Sequence, residues 1–157
     1  MLATLVARWA LLYADHKLVS IVMTYLHLAG VLVGGGAAIT LDQAVLRAVR
    51  AGNDARVRVL DMLASSHRTV VPALSVVCTT GLLMALADRA TFFSSRLFYV
   101  KISLVALLLL NGSLLLLSER RASTSESGWR QLTIVSGVSL VLWLVILLVG
   151  TWLPVAA

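Results

Sequence analysis

Between Lys17 and Asp42 the chain runs for 24 residues without a formal charge, LVSIVMTYLHLAGVLVGGGAAITL. A helix of that length crosses a hydrocarbon core of ~30 Å, and few soluble folds could bury it. Inside it sits His27, followed by Gly30, Gly34, Gly35 and Gly36. An imidazole within a membrane span is costly to place, which makes His27 a candidate functional group. Gly30 and Gly34 form a G-x-x-x-G pair about one and two turns beyond His27, so the three share one helical face. Small residues on that face admit either another helix or a flat cofactor to the backbone beside the imidazole.

The rest of the chain repeats the apolar pattern. Spans are expected at about 18–41, 69–87, 97–117 and 131–153, within a single transmembrane domain covering 1–157. An apolar fraction of 60% against 13% charged excludes an ordinary soluble globule. Ahead of the first span, residues 2–14 place Leu2, Leu5, Val6 and Trp9 at the spacing of a short interfacial helix lying on the bilayer. Gly52 reads as a helix stop and Asn53 as an N-cap, so the first two helices should extend past the membrane as a helical hairpin. Pro72 should kink the second helix and Pro154 should end the fourth. DRATFFSSR (88–96) reads as a polar turn, and ERRASTSESG (119–128) as the most loop-like stretch. With such short connections the expected fold is all-α, an integral membrane four-helix up-down bundle.

The net charge of +6 invites a nucleic-acid reading. The basic residues, however, gather at the ends of apolar runs and form no stripe with exposed aromatics, so no nucleic-acid partner is expected. Eight of them (Arg47, Arg50, Arg56, Arg58, Arg68, Arg120, Arg121 and Arg130) flank the first and third connections. The positive-inside rule then puts both termini outside the cytoplasm of a multi-pass protein in a bacterial inner membrane, with the lipid bilayer as its first partner.

Depth along the helices groups the polar residues. At 1.5 Å per residue, His27 lies ~14 Å and Lys101 ~10 Å below the same surface. Lys101 either faces the imidazole or snorkels to the headgroups. Asp42 and His67 fall near the opposite boundary, Asp42 as a partner for Arg47 or Arg68 and His67 as a solvated residue. Asn111 matches Ser136 and Ser139 in depth and is expected to bond across to one of them. The lone Cys78 excludes an internal disulfide, and three histidines without a close pair do not close a zinc or copper site. No second histidine matches His27 in depth. A haem would therefore be five-coordinate on His27 or bridge two His27 side chains of a homodimer. No nucleophile–base pair, nucleotide loop or pair of catalytic carboxylates is visible, so no enzymatic reaction is assigned.

The string YLHLAGVLVGGGAAITLDQAVLRA resembles the first helix of the copper resistance protein D superfamily, which includes the bacterial membrane-bound protoporphyrinogen oxidase type. TTGLLMALADRATFFSSRLFYVKISLVALLLLNG is similar to its second signature, a threonine-glycine-leucine helix end, a turn, then an aromatic and a lysine opening an apolar helix. The resemblance is to the superfamily's uncharacterised members more than to either named activity. Methionine and histidine clusters for copper are missing, as is the oxidase branch's tryptophan-rich first helix. The resemblance implies tetrapyrrole binding at His27 and Lys101; with the small Gly30 and Gly34 face beside the imidazole, the leading expectation is haem b with His27 as metal ligand. Two alternatives stand beside this expectation. One is a cofactor-free structural or assembly subunit that packs its glycine face on a partner membrane protein or a second copy. The other is a copper-handling membrane protein.

Overall fold

The computed structural model describes residues 1–156, and no strand occurs among them. Helix α1 (Leu2–Asp15) breaks at His16, whose backbone is extended, and α2 (Lys17–Gly30) begins at once. A single wide π turn, Val31–Gly35, joins α2 to α3 (Gly36–Ala51) without interrupting the helix. Gly52, at φ 93° and ψ −178°, turns the chain into α4 (Asn53–Ala87). A side chain tolerates that backbone conformation poorly, which is why a glycine sits at this joint. Asn53 is already the first residue of α4 and does not cap it. The stretch expected as a polar turn contains one more helix, α5 (Arg89–Ser94), capped by Asp88, which accepts from Thr91 N–H at 3.3 Å. Helices α6 (Arg96–Ala122) and α7 (Glu126–Ala156) complete the chain.

Among the described residues, four helices are long and apolar enough to cross a membrane: the continuous α2–π–α3 rod, α4, α6 and α7. α4 stays helical through Pro72, and α7 continues past Pro154. Paired contacts give their directions. Gly30 meets Ala73 and Val77 while Gly34 meets Ala73 and Leu74, so α4 runs back along α2. Asn111 reaches Val135, whereas Phe98, earlier in α6, clusters with Leu153, so α7 runs back along α6. Gly35 packs on Trp143, which brings α7 against the first rod. α4 and α6 each pack on a neighbour but not closely on one another.

Three apolar clusters fill the interior from end to end. Near the α3–α4 and α6–α7 connections, Val45 and Leu63 pack with Ala122, Trp129 and Leu132. Midway lie Leu108, Trp143 and Ile146, and at the other end Ala85, Phe98 and Leu153. The α3–α4 hairpin therefore does not stand out alone, because α6 and α7 accompany it to its tip. α1 is tied down as well: Trp9 donates its indole N–H to the Leu83 carbonyl at 2.8 Å. The outward faces remain apolar, with Leu32, Leu110 and Leu148 each more than 60% exposed.

Candidate functional site

His27 belongs to a clasp between α2 and α4. Its Nδ1 lies 3.1 Å from the Val77 carbonyl and 3.1 Å from Thr80 Oγ1. A carbonyl only accepts, so the ring donates its Nδ1 proton there, and the tautomer leaves a lone pair on Nε2. Thr80 also donates to the Val76 carbonyl at 2.6 Å, which fixes its hydroxyl. Gly81 lies beneath the ring, and a methyl group there would stand 3.0 Å from His27 Cε1. Among the described residues Nε2 has no hydrogen-bond partner.

Lys101 is brought into this neighbourhood from α6. It lies within electrostatic range of the imidazole. Its stem rests on Gly150 of α7, where a methyl group would stand 3.4 Å from Nζ. Two glycines, Gly81 and Gly150, thus make room for the two polar side chains. Sequence reasoning gave neither of them a role, although Gly81 falls inside the threonine-glycine-leucine signature quoted for the second helix.

The face of Gly30 and Gly34 is occupied by the chain itself. A methyl at Gly30 would come within 2.8 Å of Val77 Cγ2, and one at Gly34 within 2.9 Å of Ala73 Cβ. Both glycines are buried. Of the two occupants the sequence allowed, another helix or a flat cofactor, the structure has the helix. In this structure Gly30 and Gly34 serve the close packing of α2 on α4.

A second polar group lies farther along the rod. Asp42 is 2% exposed and does not pair with Arg47 or Arg68. Arg47 turns instead toward Gln43 one turn back, at 3.4 Å. The carboxylate faces Ser136 and Ser139 of α7. Neither contact closes to good hydrogen-bond geometry, so Asp42 Oδ2 and Ser136 Oγ are both buried without a partner. Asn111 reaches α7 as its depth suggested, but donates to the Val135 carbonyl at 3.0 Å rather than to a serine. His67 is not simply solvated, since its Nε2 lies 3.1 Å from Glu119 Oε2 and bridges α4 to α6.

Asp42 borders a cavity of about 360 Å³ between α4 and α6, with Leu74, Leu108, Ser139 and Trp143 among its walls. His27 does not line it. Among the described residues no group of three or more histidine, cysteine or acidic side chains is arranged to hold a metal ion. No family model, curated protein or solved structure matches the chain.

Proposed function

We propose that this protein is an up-and-down four-helix bundle of a bacterial inner membrane that binds a tetrapyrrole, haem b, through Nε2 of His27. The observation that carries the reading is the hydrogen bond from Nδ1 to the Val77 carbonyl. Metal-bound histidines characteristically donate their second ring N–H to such an acceptor, which fixes the tautomer and raises the basicity of the ligating nitrogen. Lys101, within electrostatic range of the ring, offers a positive charge suited to a propionate carboxylate. The resemblance to the copper resistance D superfamily points to the same two residues.

The donor set fits one axial ligand. The interior does not fit the macrocycle: α4 covers the glycine face, and the cavity beside Asp42 is lined by other residues. His27 is thus half of a site, with the remaining enclosure supplied from outside the chain by a second copy or a partner membrane protein. Bound haem would supply one-electron transfer. The chain's own contribution is to orient the imidazole and place a cation near it. In this reading both termini lie outside the cytoplasm, because the eight arginines near the first and third connections face inward.

Pigment per protein, measured after expression with added haem precursor, tests the site. Wild type should show a Soret band, His27→Ala should lose it, and Lys101→Met should keep it with altered occupancy or potential. His67→Ala should keep it unchanged. A colourless wild type ends the tetrapyrrole reading and leaves His27 as an interhelical clasp, while loss in His67→Ala alone moves the site to the other end of the bundle. For orientation, Ser123→Cys in a Cys78→Ser background should resist an impermeant thiol reagent on spheroplasts, and Arg89→Cys should react. The reverse pattern inverts the topology.

A further inference from the structure

The cavity between α4 and α6 is distinct from the His27 clasp. Fifteen residues of rod separate Asp42 from His27, roughly 22 Å at 1.5 Å per residue. We infer that this cavity binds a lipophilic organic cation, with the Asp42 carboxylate as its counter-charge. A side chain 2% exposed, with one carboxylate oxygen buried and unpartnered, borders an open volume of about 360 Å³. That volume is in the range of small-molecule sites. One oxygen of the carboxylate is left unpartnered there, so an occupant that brings the opposite charge is favoured over a neutral one.

The surroundings define which cation. No lysine or arginine lines the cavity, and the one basic side chain that does, His67, is already engaged with Glu119. Anions therefore find no partner there. Hard metal ions need several oxygen ligands in a defined shell, and one carboxylate with two serine hydroxyls falls short of that. Leu74 and Leu108 suit an apolar body, and Trp143 offers an indole, the aromatic ring that best attracts a cation. The four features together describe a bulky cation with its charge dispersed under an apolar surface.

Tetraphenylphosphonium is the probe, with triphenylphosphine oxide as a neutral counterpart, measured by equilibrium dialysis against the detergent-purified full chain. Wild type should bind the cation saturably at one per chain, and Asp42→Asn should weaken binding at least tenfold. A second variant guards against misfolding. Gly112 lines the cavity, and a methyl group there would meet no atom within 4 Å. Gly112→Leu should therefore fill the pocket and abolish binding while leaving Asp42 and the helical circular dichroism intact. His27→Ala should bind as wild type does, which separates this site from the tetrapyrrole reading. Equal binding by Asp42→Asn and wild type overturns the inference. So does saturable binding of the neutral oxide at matching affinity, undiminished binding by Gly112→Leu, or no saturable binding at all.

Discussion

Gly34→Ala is a change of one methyl group whose effect depends on a single neighbour. The added carbon would stand 2.9 Å from Ala73 Cβ, and the next nearest atoms, Ala73 C and Leu74 N, lie at 3.7 Å. Ordinary carbon–carbon contact falls at about 3.5–4.0 Å, so α2 and α4 would have to separate by roughly 0.6–1.1 Å at this point. Overpacking of that size costs ~1–3 kcal/mol, while replacing glycine in a helix returns up to ~1 kcal/mol. The single variant is therefore expected to lose ~0–2 kcal/mol. Removing the Ala73 methyl relieves the clash, because nothing else is within overlap distance. Gly34→Ala combined with Ala73→Gly should then show a favourable coupling of ~1–3 kcal/mol, in the range measured for residues in direct contact. Gly30→Ala is the built-in control, since it also meets the Ala73 carbonyl oxygen at 3.2 Å and the stiff Val77 side chain at 2.8 Å. Ala73→Gly removes neither atom and should not rescue it. Reversible unfolding of the purified protein in mixed micelles with a graded denaturing detergent gives all the required free energies. Additivity in the Gly34–Ala73 cycle, or equal rescue of Gly30→Ala, would refute the helix contact as described.

Three further outcomes are expected. Gly128→Ala should be among the most damaging small substitutions in the chain, by ~2 kcal/mol or more, because its methyl would overlap the Arg121 and Ala122 backbone where α6 turns into α7; a thermal melt reads this directly. Asn111→Leu removes the donor to the Val135 carbonyl and should cost only about 0.6 kcal/mol, the average for such bonds between membrane helices, in the same unfolding assay. Arg56 pairs with Glu126 and lies 5.1 Å from the centre of the Trp129 ring, so Arg56→Lys should keep the charge, lose the planar stacking and cost ~0.5–1 kcal/mol, with a shift in tryptophan emission.

The four long helices were legible because hydropathy and charge report burial against lipid-like surroundings without reference to tertiary contacts. Gly52 was legible for a local reason too, as its backbone conformation is one that glycine alone adopts easily. What sequence left open is which surface meets which. The face shared by His27, Gly30 and Gly34 is visible in the spacing, but only the position of α4 decides that Ala73, Val77 and Thr80 occupy it. Asp42 shows the same limit more sharply. Nearby arginines made an ion pair the natural expectation, yet the side chain faces serines from a helix nearly a hundred residues later. His67 likewise met Glu119, fifty-two residues away, a partner that spacing along one helix cannot reveal.

The π turn at Val31–Gly35 means that the first rod holds one residue more than a regular helix of the same path would need. Deleting a single residue there, Val33 for example, would be absorbed by converting the wide turn to an ordinary one, with no break in the rod. The upstream half, with His27 and Gly30, would keep its seat on α4. Because the residue lost is the surplus one that the wide turn absorbs, the downstream half would keep its phase as well, and the Asp42 carboxylate its place against the α7 serines. The turn is therefore a place where the first rod can lose a residue while both polar sites keep their partners, whereas the same deletion within the regular turns of α2 or α3 would rotate everything beyond it by about 100°.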